Sequence, residues 1–155
     1  MLRIVQERGK MKDIKESEQD FGKKKFLFDD MTKSFPALLE AFQIGLRVSA
    51  YGFDWKNPLD VLQKVKEEIT ELEMVIEEKK HDKMVEEMGD ILFSMANMSR
   101  HLGINPEISL KNANNKFIKR FNYIEKKLKE DGKELSQTSL KEMDKFWEQA
   151  KNKVL

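Results

Sequence analysis

The sequence predicts an all-α protein, a helical bundle of about five helices. Apolar residues recur three and four positions apart in five segments, which is the period of a helix with one buried face. Runs of alternating Val, Ile or Thr, which would indicate strands, do not occur in the sequence. Glycine, proline and asparagine also stand where helices begin and end. At 155 residues the chain fits one domain with a sizeable core.

The start of the chain differs in pattern from the rest. Residues 1–30 mix charges without a long apolar stripe and include three consecutive lysines at 23–25, so we expect a charged, partly ordered leader. Residues 31–155 are expected to form the folded domain. Its first helix is predicted to start with Ser34 as N-cap and Pro36 in the first turn, and to end at Gly52.

Two long helices are predicted next, over residues 58–79 and 82–102. The later of the two also carries Phe93 and Ala96 on a second apolar side, and a helix that is apolar on two sides is usually covered on two sides. We therefore expect it to lie at the centre of the bundle and to offer a contact to a second subunit. The predicted buried stripes are Leu62, Val65, Ile69, Leu72 and Ile76, and then Met84, Met88, Ile91, Met95 and Leu102.

Two further helices complete the predicted bundle. Asn105 and Pro106 have the order of an N-cap and a first helical residue, and Gly132 ends this fourth helix. Residues Ser139 and Glu142 have the spacing of a capping box that opens a fifth helix. The predicted stripes are Phe117, Phe121, Ile124 and Leu128 on the fourth helix, and Leu140, Met143 and Trp147 on the fifth.

Composition excludes several classes of function. The formal net charge is +1, so no overall electrostatic attraction to nucleic acid or membrane is expected. Cysteine is absent, which excludes disulfides, thiolate metal sites and cysteine nucleophiles. No segment approaches the roughly 20 apolar residues of a spanning helix. A soluble, cytoplasmic protein is therefore expected.

Two short acidic segments resemble each other and lie on different predicted helices. They read Glu-Glu-Ile-Thr-Glu at 67–71 and Glu-Glu-Met-Gly-Asp at 86–90. In each segment, two acids three residues apart share a helix face, with Cβ atoms about 5–6 Å apart. Both pairs flank an apolar stripe, so packing of the two helices would bring four carboxylates to the edge of the core. These acids are Glu68, Glu71, Glu87 and Asp90.

Four converging carboxylates repel one another and require a cation. At an effective dielectric constant near 20, each pair about 6 Å apart costs roughly 2–3 kcal/mol. Oxygen-only ligands suit Mg²⁺, or Mn²⁺ as a substitute, and protein-bound Mg²⁺ is typically shared with substrate phosphates. Charged pairs at this spacing are also common on solvated helix faces. The pattern alone therefore leaves a metal site and a surface patch both open.

A site for a polyphosphate also needs positive charge. Lys116 and Arg120 lie four residues apart on the fourth helix, so both can reach one anion. Lys64 and Lys83 each precede an acid, Glu68 and Glu87, by four residues, a spacing that by itself indicates ordinary helix ion pairs. Trp147 suits a contact with a nucleobase as well as a place in the core, and its spacing favours the core.

No motif in the sequence supplies a protein nucleophile. A phosphate-binding loop, a dinucleotide-binding glycine pattern and a serine nucleophile motif do not occur. The simplest nucleophile is then a metal-activated water, with Glu67 or Glu86 as general base.

Seven segments also match a known family in order and spacing. They are residues 34–41, 48–55, 65–71, 86–93, 97–103, 113–121 and 143–147, and they include the two acidic segments. With these segments the sequence from about Leu27 onward resembles a MazG domain, in particular the C-terminal domain of tandem-domain bacterial enzymes. The combination of two acidic segments at this spacing is specific to that family.

The resemblance implies a Mg²⁺-dependent enzyme that hydrolyses nucleoside triphosphates to nucleoside monophosphates and pyrophosphate. It also implies a homodimer and a role in clearing aberrant nucleotides. The implied metal ligands are Glu68, Glu71, Glu87 and Asp90, and the implied nucleotide contacts are Lys64, Glu67, Lys83, Glu86, Lys116, Arg120 and Trp147.

Two other functions compete with this interpretation. The first is a non-catalytic helical interaction or regulatory module, in which the acids are surface charge. The second is a carboxylate-bridged di-iron bundle, which is disfavoured because such sites use Glu-x-x-His pairs. Neither acidic segment has a histidine three residues after a glutamate.

Overall fold

The computed structural model describes residues 26–31 and 34–153, which divide between two units, Met1–Phe35 and Pro36–Leu155. The described part of the second unit holds five α-helices, a single 3₁₀ turn and no β-strand, so the predicted all-α fold is confirmed. The lysine run at 23–25 lies outside the described residues, and the division into leader and domain stays a prediction. The helices are α1 (Ala37–Ser49), α2 (Pro58–Glu77), α3 (His81–His101), α4 (Pro106–Glu130) and α5 (Leu140–Lys153), with the 3₁₀ turn at Leu135–Gln137.

Side-chain caps and glycines set most of the helix ends. The side chains of Asn57 and Asn105 accept hydrogen bonds from backbone N–H groups in the first turns of α2 and α4. Ser139 Oγ accepts one from the Glu142 N–H, 3.3 Å away, at the start of α5. Gly103 and Gly132, both with φ of +67°, end α3 and α4 in the left-handed conformation that glycine adopts without a steric penalty.

The start of α1 differs from the prediction. Pro36, not Ser34, is the N-cap residue, because its ψ of 142° is extended and its carbonyl accepts the first helical hydrogen bond, from Glu40 N–H at 2.9 Å. Proline has no N–H and disfavours the helical conformation in the residue before it, so Phe35 cannot lie in the helix. The helix therefore begins at Ala37.

Helix α3 is the central helix of the second unit. It packs along α2 and against α1, whereas α4 packs mainly against α5 and touches α1 and α3 over shorter stretches. The buried apolar side chains come from all five helices, and the described core is Ala41, Val61, Val65, Ala96, Ile124, Leu128 and Ala150. None of the described helices is both long and apolar enough to cross a membrane.

The buried face of α3 is not the predicted one. Met88 and Met95, expected in the core, are 46% and 47% exposed, whereas Ser94, Ala96 and Asn97 are buried. Ala96, which we expected on a second, outer surface, is completely covered within the chain. The residues of α3 that face inward are therefore small or polar, and several of its longer apolar side chains face outward.

Close packing of α1 on α3 accounts for this reversal. A Cβ atom placed on Gly45 of α1 would lie 2.7 Å from Asn97 Oδ1 and 3.1 Å from Arg100 Nε. The two helices thus approach too closely for a methionine between them. As a result, the outer side of α3 keeps a stripe of exposed apolar residues at helical spacing: Val85, Met88, Leu92 and Met95.

Candidate functional site

Three acids from the two predicted segments converge where α2 packs on α3. Glu68, Glu71 and Glu87 each offer a carboxylate oxygen, and these oxygens all lie within 4.8 Å of one another. The three side chains differ in burial, because Glu68 is buried, Glu87 is half-buried and Glu71 is exposed. Three carboxylate oxygens at this separation fit a hard cation such as Mg²⁺, which prefers oxygen ligands. The cluster also opens to solvent on one side.

The cluster is electrostatically strained when no cation neutralises it. The pKa of Glu71 is raised above its ordinary value, first because its side chain shares a hydrogen bond with Glu68 and also because the charges of Glu68 and Glu87 lie close. Lys64 partly offsets this effect on the pKa. A divalent cation would relieve the same repulsion, so the donor set and its charge both fit such an ion.

Lys64 is the counter-ion of this cluster. Its Nζ lies 2.8 Å from Glu68 Oε1 and 2.9 Å from Glu67 Oε1, which raises the pKa of Lys64, with the Glu68 hydrogen bond as the largest cause. The predicted pair between Lys64 and Glu68 is therefore present. Lys83 differs from the prediction, because its Nζ bonds Glu86 Oε2 at 3.2 Å.

Asp90, the fourth predicted metal ligand, is not part of the three-acid cluster among the described residues. It lies almost one turn after Glu87 on α3 and is exposed. Its role as a ligand stays a prediction. Glu67 and Glu86, the predicted general bases, are exposed carboxylates held by Lys64 and Lys83.

The predicted nucleotide-binding residues of α4 and α5 form a second group. The Arg120 guanidinium carbon lies 5.8 Å from the centre of the Trp147 ring, and Phe117 contacts the same ring at 5.1 Å between centroids. Arg120 Nε is buried and has no hydrogen-bond partner within the described residues. Lys116 lines a different, shallow depression with Asn112 and other residues of α4.

No hydrogen bond, ion pair or ring contact between described residues joins this second group to the acidic cluster. The acids lie on α2 and α3, whereas the arginine and the aromatic rings lie on α4 and α5. The structure thus assembles two parts of the predicted site separately within one chain.

A groove of about 480 Å³ runs beside Trp147, between α4, α5 and the turn that joins them. Its walls are apolar except for Asp144, a residue that sequence reasoning missed. The signal was present, because Asp144 stands four residues after Leu140 and three before Trp147, on one face of α5. The apolar lining residues are Phe117, Phe121, Ile124, Leu135, Leu140, Met143 and Trp147.

Sequence reasoning also missed a charged network at the end of α3. Asp54 Oδ1 lies 2.5 Å from Arg100 Nη2 and 2.8 Å from His101 Nε2, and Arg100 Nε donates to Asn97 Oδ1 at 2.8 Å. The hydrogen bond from Arg100 is the largest cause that lowers the pKa of Asp54 below its ordinary value. These contacts tie the loop at 51–57 to α3. Their residues lie in the matched segments 48–55 and 97–103, but spacing did not pair them.

Comparison with known proteins identifies the segment that holds the acidic cluster. Residues 56–124 match the MazG nucleotide pyrophosphohydrolase domain. This segment therefore matches the MazG family. The matched segment includes both acidic segments together with Lys116 and Arg120, whereas Trp147 and Asp144 lie beyond it.

Proteins similar to this chain agree with the match. The chain is 40% identical over 140 residues to the nucleoside triphosphate pyrophosphohydrolase/pyrophosphatase MazG of Thermotoga maritima, covering 90% of this chain and 53% of that protein. It is 40% identical over 129 residues to the nucleoside triphosphate pyrophosphohydrolase of Escherichia coli K12, covering 82% and 49%. An uncharacterized protein of Bacillus subtilis, YabN, is 51% identical over 65 residues, which is 42% of this chain and 13% of YabN.

The chain spans about half the length of the T. maritima and E. coli relatives it matches. The similarity to these two relatives therefore covers most of this chain but only part of each of them.

Proposed function

We propose that this chain hydrolyses nucleoside triphosphates to nucleoside monophosphates and pyrophosphate, with Mg²⁺ as cofactor and Mn²⁺ as a substitute. The observation that carries the proposal is the convergence of Glu68, Glu71 and Glu87 within 4.8 Å, inside the segment that matches the MazG domain. The relatives named as nucleoside triphosphate pyrophosphohydrolases support the same reaction. The acids of a solvated surface patch would remain exposed, whereas Glu68 is buried.

In this proposal Glu68, Glu71 and Glu87 hold the metal, and Asp90 reaches it from the next turn of α3. The metal would supply positive charge against the phosphate oxygens and the attacking water. Glu67 or Glu86 accepts the proton of that water, because each is an exposed carboxylate beside the cluster and next to a lysine. Lys64 and Lys83 hold these carboxylates in place and add charge toward the phosphates.

The second group supplies the remaining contacts with the nucleotide. We assign Arg120 and Lys116 to the phosphates, because a guanidinium forms charge-assisted hydrogen bonds with phosphate oxygens. The buried Nε of Arg120 has no partner within the described residues, which agrees with a side chain prepared for an external anion. Trp147 is assigned to the nucleobase, at the edge of the apolar groove.

A homodimer is part of the same proposal. The exposed stripe on α3 and the exposed Ile69 and Ile76 of α2 form apolar surface that a monomer would leave in water. A second copy would cover it, in agreement with the homodimers of the family that the sequence resembles. We place the enzyme in the cytoplasm, where nucleoside triphosphates are made and used, and assign it to nucleotide-pool housecleaning.

Pyrophosphate release from each of four nucleoside triphosphates tests this function. We expect turnover with Mg²⁺ that stops with EDTA and is lost in Glu71→Gln, while Glu73→Gln, which changes an exposed acid outside the cluster, stays near wild type. Glu71→Gln should not lower the stability of the metal-free protein, because it removes repulsion. No Mg²⁺-dependent release by the wild type would favour the non-catalytic module, and wild-type turnover by Glu71→Gln would overturn the metal site.

A further inference from the structure

We propose that Asp144 accepts hydrogen bonds from the edge of the nucleobase and thereby favours guanine. This proposal rests on the proposed function, which places the base beside Trp147, and adds a residue that determines which base is preferred. Three observations on the groove between α4 and α5 support it, and each is independent of the acidic cluster.

The first observation is the composition of the groove. Its volume of about 480 Å³ accommodates a heterocyclic base, and its walls are aromatic and aliphatic except for one carboxylate, that of Asp144. Apolar walls with a single polar group are the usual form of a small-molecule site, in which the polar group fixes orientation and specificity. A flat base with hydrogen-bonding groups along one edge matches this arrangement.

The second observation is the state of the Asp144 carboxylate, which is exposed. The other two acids of α5 are paired, Glu142 with Lys133 and Glu148 with Lys151. Asp144 forms no hydrogen bond or ion pair with any residue that the structure describes. Its carboxylate is therefore available to a ligand, although Lys141 and Lys145 stand on the same helix.

The third observation is the position of positive charge. Arg120 lies over the Trp147 ring at 5.8 Å, so a cation stands beside one wall of the groove, and the Asp144 carboxylate lines another part of it. A nucleotide has the complementary polarity, with anionic phosphates at one end and N–H donors on the base at the other.

The chemistry of a carboxylate predicts the preference among bases. An ionised carboxylate only accepts hydrogen bonds, and its two oxygens can accept two parallel ones. Guanine offers two neighbouring donors, at N1 and at the 2-amino group. Hypoxanthine lacks the 2-amino group, and adenine places an acceptor beside its 6-amino donor. Guanine is therefore the best match, because it satisfies both oxygens.

The experiment compares GTP with ITP, which differ only in the 2-amino group. We expect the wild type to prefer GTP by roughly tenfold or more in kcat/KM, the value of one hydrogen bond to a charged group. Asp144→Asn and Asp144→Ala should reduce the ratio of kcat/KM for GTP to kcat/KM for ITP to about threefold or less. The main cause should be a lower kcat/KM for GTP. Glu148→Gln is the matched control, because it removes one charge from the same helix outside the groove, and it should keep the wild-type ratio.

Binding of GMP and IMP, measured by calorimetry, separates this proposal from the proposed function. If the wild type binds GMP more tightly than IMP and Asp144→Asn loses this preference, the result supports recognition of the base by Asp144. This holds even if no triphosphate is hydrolysed. Equal GTP and ITP turnover by the wild type, an unchanged ratio in Asp144→Asn, or the same loss in Glu148→Gln would overturn it. Failure of GMP to bind to the wild type would overturn it as well. A circular dichroism spectrum shows that each variant is folded.

Discussion

Glu68 shows how a single residue organises the acidic cluster. It is only 5% exposed, and burial of a carboxylate costs several kcal/mol unless the charge is paired. Lys64 provides that pairing at 2.8 Å, and Glu71 and Glu87 then meet Glu68 from two helices. The two acidic pairs were predictable, because i, i+3 spacing is local, and three of their four acids meet. That Asp90 lies outside the cluster depends on how α3 is rotated against α2, which spacing does not determine.

Asp54 carries a pH-dependent part of the stability. Its lowered pKa means that the folded state favours the ionised form, so the stabilisation is present above the ordinary pKa of 3.8 and is lost as pH falls through the lower, folded-state value. We expect Asp54→Asn to lower the free energy of unfolding by about 1–2 kcal/mol at pH 7. The difference from wild type should shrink near pH 3.5. Urea denaturation at both pH values measures this, and an equal difference at the two would contradict it.

Arg120 and Trp147 are expected to affect different parts of catalysis. Arg120→Ala removes a phosphate contact and should lower kcat/KM for all four nucleoside triphosphates by a similar factor, worth roughly 1.5–3 kcal/mol. Trp147→Ala should instead change the preference among bases. Kinetics on the four substrates distinguish the two roles. A uniform loss with a collapsed melting transition in Trp147→Ala would show that the tryptophan is only part of the core.

At the scale of the helices, ends were more predictable than faces. Asn105, Ser139, Gly103 and Gly132 act within a few residues of themselves, and the structure has them where the sequence predicts. The prediction of the buried face of α3 was wrong, because that face depends on Gly45, which lies on another helix. Apolar periodicity identifies a helix but not which of two apolar sides meets its neighbour within the chain.

Two glycines in helices should respond to alanine in opposite directions. Gly45→Ala places a Cβ atom 2.7 Å from the buried Asn97 Oδ1, so we expect a loss of about 1–3 kcal/mol in the free energy of unfolding. Gly89→Ala meets no atom within 4 Å, and alanine favours the helix, so we expect a gain of up to about 1 kcal/mol. Thermal or urea denaturation of both variants tests this. A stabilised Gly45→Ala would show that α1 and α3 pack less tightly than described.

At the scale of the whole molecule, the exposed apolar surface predicts that the chain forms a dimer. Leu92 is 50% exposed in the middle of the α3 stripe, and Phe93 beside it is 41% exposed. We expect the wild type to sediment as a dimer at micromolar concentration, and Leu92→Asp or Phe93→Asp to sediment as a monomer. Gln63→Asp, an added charge at an exposed polar position of α2, should remain dimeric. A wild-type monomer at that concentration would contradict the dimer.

The outward methionines also give this cysteine-free chain a route to oxidative damage. Met74, Met88 and Met95 are each about half exposed in the single chain, so peroxide can reach their sulfur atoms whenever a second copy does not cover them. A methionine sulfoxide is polar, and at residues 88 and 95 it would stand on the stripe that a second copy is proposed to cover. Oxidants would then weaken association before they disturb the core, and methionine sulfoxide reductases would restore it. The sensitivity to oxidation thus follows from the packing of α3, which buries small residues and leaves the sulfur atoms of Met88 and Met95 on the outer side.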